Sequence, residues 1–335
     1  MRERVSGLQH PDTLMLIYNL ANCLDEQGKI EEARPFAQRA AEGARKVLGP
    51  DHPDALQYEK LHERLTIIEA SAPALYERSY EAFERAEYEQ AERLALRSID
   101  KAKQEQPLDN SQLLRALDIA GECALQRSNA VIALAHFTNA ANFIDKLADP
   151  LEWAHNLSAQ ARALAADLQY AQAERLLRQV VAIRSEKLSP EHPDTLRRRG
   201  TLADVLVKQG KAAEAEAEYR ALIQILQRVL GAEHAETVNS RVGLALVLQR
   251  RGKFAEAEAE HREVVQIAER VFGPEHPGTL TARFNLATCL QRPSRAKEAS
   301  EYARRAMEGR RKVLGSDHPD TKLAEQLYKQ LSTTK

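Results

Sequence analysis

Between residues 234 and 275, apolar and small residues fall into two runs with helical spacing, which places their side chains on one helix face. These positions are Leu244, Ala245, Leu248, Ala257, Val264, Val265 and Ala268. The segment RGKF at 251–254 separates the two runs, and its glycine supplies the backbone conformation needed where a helix ends. The pattern predicts an antiparallel pair of helices, the second over about residues 254–272.

The same pattern returns along the chain behind a marker in which histidine precedes proline and acidic residues. The marker histidines are 42 residues apart from His10 to His52, and again through His192, His234, His276 and His318. A fixed period of about 20–50 residues is typical of stacked repeats. Residues 74–106, 108–149 and 151–191 carry weaker versions of the helix pair, so we predict an all-α solenoid of antiparallel helix pairs.

The marker has two interpretations, a repeated metal site or a boundary between helices. Metal ligands must lie about 2 Å from one ion, whereas neighbouring helices alone are about 8–10 Å apart. Proline in a first helical turn, an extended residue before it and an acid after it all favour a helix start. We therefore predict that Gly49 ends one helix, that His52-Pro53 begins the next, and that the chain has no metal site.

A small residue in the first helix, a Gly-Lys-aromatic turn and an Ala-Glu-Ala opening of the second helix resemble the tetratricopeptide repeat (TPR). The 42-residue period with LGPxHPxT between units resembles the kinesin-light-chain type in particular, over roughly residues 10–57 and 170–322. The resemblance implies a right-handed superhelix of about six helix pairs with capping helices. It also implies a scaffold that binds proteins or peptides.

The spacing of the markers leaves room for one extra helix. Residues 52–65 align without gaps with residues 318–331, which suggests a cap-like helix at about 54–70, followed by a break in EASAPA at 69–74. We predict a short N-terminal TPR segment over 1–70 and a main solenoid of about five repeats and a C-terminal capping helix over 74–335; the alternative is one continuous superhelix. RERVSGLQHPDT also aligns with residues 44–55, so the chain is predicted to begin near the end of a helix, either as a piece of a longer array or with a short natural segment.

In the kinesin-light-chain type, asparagines of an NNLA motif line a concave groove, and the resemblance implies this role for Asn19 and Asn285. Thr201 and Gly243 stand at the equivalent position in two other repeats, so the row of asparagines is broken. Further groove candidates on the first helices are Asn22, Arg197, Asp204, Lys208, Asn239, Gln249, Arg250, Thr288, Gln291 and Arg292. Their basic character predicts an acidic peptide segment as the ligand.

Composition and charge exclude several classes of partner and location. With 48 basic and 49 acidic residues, the chain has no general attraction for nucleic acid or an anionic membrane. Its apolar runs are too short to span a bilayer. Three scattered cysteines predict reduced thiols in a cytoplasmic protein, with Cys23 and Cys289 as small buried residues. AEAEAE at 213–218 and 255–260 is interpreted as a solvated helix face with i,i+4 partners, and Trp153 as a packing residue.

Catalytic, phosphate-binding and CxxC motifs are absent from the sequence, so we predict neither an enzyme nor a cofactor. The leading hypothesis is a protein-binding scaffold or adaptor. The alternative is a sensor or regulatory module of a larger signalling or defence protein that controls a caspase-like peptidase or NTPase effector. An RNA-binding helical repeat is a third hypothesis, disfavoured by the balanced charge. The partner's identity and the oligomeric state stay open.

Overall fold

The computed structural model describes residues 9–27, 29–69, 71–105 and 107–333, and every regular element in these ranges is helical. This confirms the predicted all-α fold. The chain forms two compact units, Met1–Ile144 and Asp145–Lys335. The helix end predicted for residues 1–8 lies outside the described residues, and the predicted division into 1–70 and 74–335 stays a prediction.

In the first unit, helices pack in chain order through α3 and again from α4 onwards. Its helices are α1 (Pro11–Glu26), α2 (Ile30–Leu48), α3 (Pro53–Glu69), α4 (Ala72–Glu84), α5 (Tyr88–Gln104), α6 (Asn110–Gln126) and α7 (Ala130–Ala140). The extra helix is therefore present, as α3. The break after it is shorter than predicted, because the Ser71 hydroxyl accepts a hydrogen bond from the Ala74 backbone N–H and already caps α4.

In the second unit, each helix packs on the one before it. Its helices are α8 (Pro150–Ala166), α9 (Tyr170–Lys187), α10 (Pro193–Lys208), α11 (Ala212–Val229), α12 (Ala235–Arg250), α13 (Phe254–Phe272), α14 (Pro277–Cys289), α15 (Ala296–Leu314) and α16 (Pro319–Thr333). We call α1, α4, α6, α8, α10, α12 and α14 the A-helices, and their successors α2, α5, α7, α9, α11, α13 and α15 the B-helices. Helix α13 has the predicted bounds.

The marker histidines begin four of the A-helices (α1, α10, α12 and α14) and the two extra helices, α3 and α16, with their own side chains. In all six markers, Nδ1 of the histidine accepts a hydrogen bond from the backbone N–H two residues later, at 3.1–3.3 Å. The neutral ring must therefore carry its proton on Nε2. The predicted helix start is confirmed, and the histidine adds a side-chain cap that the prediction did not include. Gly49 ends α2 at φ 94°, as predicted.

Small residues bring the helices of each repeat close together. The alanine in the first turn of each B-helix is fully buried at Ala173, Ala215, Ala257 and Ala299, each 42 residues from the next. Gly243 of α12 is closer still to a neighbour, because a Cβ added there would lie 2.5 Å from Cζ of Tyr219 in α11. Tyr219 is 2% exposed and donates its hydroxyl to Asp204. A side chain at residue 243 and the tyrosine ring would therefore compete for one volume.

The turn between the A- and B-helix requires a left-handed backbone residue in several repeats. Glycine occupies it at Gly210 (φ 80°) and Gly252 (φ 75°), but Leu168 occupies it at φ 61°. The Leu168 side chain is 71% exposed, so little packing compensates for the strain.

Leu168→Gly is therefore expected to stabilise the second unit by about 0.5–1 kcal/mol, because glycine adopts this conformation without steric strain. Chemical denaturation monitored by circular dichroism measures the difference. The reverse change, Gly252→Leu, should destabilise by a similar amount. A loss of stability in Leu168→Gly would contradict this account of the turn.

Candidate functional site

The A-helices form the inner side of each unit. In the first unit α4 contacts α6, and in the second α10 contacts α12, although a B-helix lies between them in sequence. Among the described residues, B-helices show no comparable approach to one another. Helices that are closer on the A side than on the B side give a stack that curves toward its A-helices. The exposed A-helix side chains of the second unit, which we call the A-face, therefore line its concave side.

Six predicted groove residues lie exposed on the A-face, namely Arg197, Asp204, Lys208, Asn239, Arg250 and Thr288. Asn239 makes no hydrogen bond or ion pair with the described residues. Among the described residues, the Lys208 ammonium approaches only the Tyr170 ring, 6.0 Å from its centroid. Arg250 makes one long hydrogen bond of 3.4 Å to the Val207 carbonyl. These three side chains are thus available to a ligand.

Arg197 is less available, because it forms ion pairs with Asp194 at 2.9 Å and with Glu236 at 3.0 Å. Thr288 donates its hydroxyl to the Phe284 carbonyl at 3.0 Å, within its own helix. A ligand that used either side chain would have to replace these contacts.

Asn285 and Arg292 are only half-exposed. The Arg292 guanidinium lies 5.0 Å from the centroid of the Phe254 ring, and its buried Nε has no hydrogen-bond partner. Asp204 is exposed but accepts the Tyr219 hydroxyl, so part of its role is structural. Arg292 is consequently a poor choice for a variant meant to change binding alone.

In the first unit, Asn19 is exposed and Asn22 is half-buried. Asn22 lines a surface cavity of about 570 Å³ together with Tyr18, Gln57, Lys60, Leu61, Glu63, Arg64, Gln90, Arg93, Leu94 and Arg97. Arg64 forms an ion pair with Asp25. The structure does not place these residues on the A-face, which belongs to the second unit alone.

The B-helices carry a repeating set of ion pairs that we call the ion-pair ladder. Glu216 contacts Arg220 at 3.0 Å, Lys253 at 2.9 Å and also Arg251. The equivalent contacts of the other repeats join Glu174 to Arg178 and Lys211, Glu258 to Arg262 and Arg295, Arg178 to Glu214, Arg220 to Glu256, and Arg262 to Glu298. The interpretation of AEAEAE as a solvated face with i,i+4 partners is right for exposed Glu214 and Glu256 and for the partners of Glu216 and Glu258. It is wrong for Glu216 as a solvated residue, because Glu216 is buried and contacts the next repeat.

The ladder holds its central carboxylates in the ionised form. The hydrogen bond from Lys211 is the main reason why the pKa of Glu174 falls to about 2. Burial alone would raise the pKa of Glu216, but hydrogen bonds from Lys253, Arg220 and Arg251 outweigh burial and lower it to about 2. The charges of the ladder are thereby committed to stability, unlike those of Lys208 and Arg250.

Of a group of arginines near the start of the A-face, the sequence-based selection found only Arg197. We call Arg162 of α8, Arg184 of α9, and Arg197 and Arg198 of α10 the arginine cluster. Burial, and then the charges of Arg184, Arg197 and Arg162, lower the pKa of Arg198. A comparison of equivalent positions could have found it, since Arg184 and Arg198 replace Leu226 and Ser240 of the next repeat.

The predictions for single residues outside the A-face have mixed outcomes. Cys289 is buried as expected, but Cys23 is exposed, where its Sγ accepts a 3.4 Å hydrogen bond from Gln27, so the prediction for Cys23 was wrong. Trp153 packs on Ala154, Leu157 and Val180, as predicted. In the described ranges, no three His, Cys, Asp or Glu side chains converge as they would around a metal ion. None of the described helices could cross a membrane.

Family comparisons agree with this architecture. Tetratricopeptide-repeat models match residues 13–54, 153–228, 199–259 and 236–312. Human tetratricopeptide repeat protein 19, mitochondrial, is 41% identical over 49 residues, which are 15% of this chain and 13% of that protein. The chain thus spans only a small part of that relative.

Solved structures show the same fold. A putative kinesin light chain from Podosopora anserina with nearly identical TPR-like repeats has a TM-score of 0.53 and 26% identity, covering 61% of this chain and 98% of its own. A signal-transduction ATPase with a TPR sensor from Pyrococcus horikoshii has a TM-score of 0.62 and 11% identity, covering 96% of this chain and 48% of its own. With the 42-residue helix pairs and the family matches, these likenesses show that the chain belongs to the tetratricopeptide-repeat family, with repeats of the kinesin-light-chain type.

Proposed function

We propose that the chain is a non-enzymatic scaffold that binds an acidic segment of a partner protein on its A-face. The observation that carries the proposal is the division of charges in the second unit. The charges of the ion-pair ladder are paired with one another, whereas Lys208 and Arg250 are exposed on the A-face without a carboxylate partner among the described residues. Exposed cations on a rigid concave surface suit a peptide that carries carboxylates.

Neighbouring side chains add the other contacts that a peptide needs. Asn239 is exposed one repeat after Arg197 and offers an amide for a peptide backbone. Leu246 of α12 is 43% exposed and provides an apolar contact four residues before Arg250. A ligand with an acidic residue next to an apolar one would use both.

Peptide display with charge-reversal variants tests the proposal. Peptides selected from a random library on the wild-type chain should be rich in Asp and Glu. Lys208→Glu with Arg250→Glu should weaken their binding by at least about tenfold, because two attractive charges become repulsive. Both positions are exposed, so the melting temperature should not change.

The matched control reverses two exposed B-helix cations, Arg175→Glu with Lys297→Glu. This pair should leave peptide affinity unchanged, because it alters net charge equally without touching the A-face. Equal losses in both double variants would indicate general electrostatic attraction and contradict the proposed site. Unchanged affinity in Lys208→Glu with Arg250→Glu would exclude the A-face.

The sensor-module alternative would use the same face for a partner but would pass the signal to an attached effector. The solved ATPase with a TPR sensor shares 11% identity with this chain and supports the fold alone. The scaffold function is therefore preferred. The free thiols of Cys23, Cys123 and Cys289 support the proposed setting in a reducing compartment such as the cytoplasm.

A further inference from the structure

The arginine cluster places charge where the next two repeats have small or apolar residues. Arg184 stands at the position of Leu226 and Ala268, and Arg198 at that of Ser240 and Ala282. All four of these counterparts are buried. The repeat therefore does not require arginine at either position.

Arg184 is buried but poorly paired. It is 8% exposed, and its buried Nε has no hydrogen-bond partner. Its ion pair with Asp194 spans 3.9 Å, and that carboxylate already contacts Arg197 at 2.9 Å. Arg310 shows how the same position can be satisfied, since it donates to the Asp320 carbonyl at 2.9 Å and lies over the Phe284 ring. Arg184 thus keeps a donor that the described residues leave unused.

Arg198 has even fewer partners. It is half-buried, its Nε is buried without a hydrogen bond, and no described carboxylate lies within ion-pair distance of it. Arg184, Arg197 and Arg162 all act on it as like charges, and Asp194 is the acid that opposes them. The guanidinium groups of Arg184, Arg197 and Arg198 exceed the two carboxylates of Asp194 and Glu236 by one positive charge. Buried, unpaired positive charge is costly for a fold that gains nothing from it.

From this juxtaposition of Arg184, Arg197 and Arg198 around Asp194, we infer that the arginine cluster is an oxyanion-binding site. This inference rests on the proposed function in one respect, because the anion is taken to be a carboxylate or a phosphorylated side chain of the bound partner. Planar guanidinium groups bind either by paired N–H···O hydrogen bonds. The Nε donors of Arg184 and Arg198 are the groups that the anion satisfies.

The anion site can be tested without any partner. The full chain is melted in sodium phosphate, sodium succinate or sodium chloride at equal ionic strength and pH 7. Phosphate at about ten times its dissociation constant should raise the wild-type melting temperature by roughly 3–6 °C over chloride. Succinate tests the carboxylate, so the larger of the two shifts identifies which oxyanion the site prefers.

Arg198→Met should lose this shift and, in chloride, melt above the wild type, because a buried unpaired cation is replaced by an apolar chain of similar length. The matched control is Arg175→Met on α9, an exposed arginine outside the cluster, which should keep the full shift. Equal phosphate shifts in all three proteins would overturn the inference. So would an Arg198→Met variant that melts below the wild type and keeps the shift.

A second measurement covers the case in which Arg198→Met does not fold. In the wild-type chain, the ¹⁵N–¹H signals of the arginine Nε groups are followed during phosphate titration. Arg184 and Arg198 signals should move together and saturate, and absence of saturable movement would overturn the site. If phosphate binds the cluster but the selected peptides do not depend on Lys208 and Arg250, only the proposed function is rejected. If the peptides depend on Lys208 and Arg250 but phosphate does not bind, only the anion site is rejected.

Discussion

Gly243→Leu is expected to lower the free energy of unfolding of the second unit by about 3 kcal/mol or more, since overpacking a closed interface forces neighbours from their positions. A Cβ at this residue already lies 2.5 Å from the Tyr219 ring. That ring is buried and anchored by its hydrogen bond to Asp204, so it cannot move aside without losing the bond. Urea denaturation followed by circular dichroism measures the loss.

The chain contains the compensating arrangement, which provides a control. Two repeats later, Ala303 and Leu327 stand at the positions of Tyr219 and Gly243, and both lie in one buried cluster. Tyr219→Ala with Gly243→Leu copies this pair and should recover much of the stability that Gly243→Leu loses. If the double variant loses as much free energy of unfolding as the two single variants together, the side chains at residues 219 and 243 do not compete for one volume.

Glu216→Gln is expected to cost about 2–3 kcal/mol at neutral pH, because it removes the charge that Arg220, Lys253 and Arg251 share. The carboxylate side chain is 7% exposed, so water cannot replace these contacts. Glu214→Gln on the same helix is the matched control, since Glu214 is exposed and its ion pair with Arg178 spans 3.3 Å. The control should lose less than about 0.5 kcal/mol, and equal losses would show that the ladder is not buried.

Acid should remove the same contribution from the wild type. The pKa values of Glu174 and Glu216 fall from 4.5 to about 2 on folding, so both groups bind protons more readily in the unfolded chain. Their stabilising effect is complete above pH 4.5 and is lost as the pH falls toward 2. Glu216→Gln should therefore show a weaker dependence of stability on pH within that window.

Much of the fold could be predicted because the same pattern of apolar residues, glycine and proline recurs in several repeats. The bounds of α13 and the helix starts at His52 and His192 follow from spacing and proline alone. The short length of the break before α4 could not be predicted in this way. The Ser71 cap acts through a single hydrogen bond, and a single residue does not produce a periodic pattern. The exposure of Cys23 was missed for a related reason. Its equivalence with Cys289 predicts its place on the helix, but not which neighbouring side chains shield it from solvent.

The site was less predictable than the fold. Sequence position correctly indicates that Lys208 and Asn239 are on A-helices, yet it cannot show that Arg197 is already paired or that Arg292 is half-buried. Those properties depend on residues about 40 positions away, such as Glu236 for Arg197. The arginine cluster could be detected only as a departure from the repeat, because the average pattern hides the positions at which one repeat differs.

The ion-pair ladder also bears on how such an array changes length. Glu216 contacts residues 4 and 37 positions ahead, and Glu258 contacts residues at the same two distances, Arg262 and Arg295. Excision of residues 217–258 would therefore place Arg262 and Arg295 at those distances from Glu216. Recombination between equivalent codons can thus shorten or lengthen the gene by whole units and keep these two contacts of the ladder glutamate, so this part of the electrostatic design is itself inheritable in 42-residue pieces.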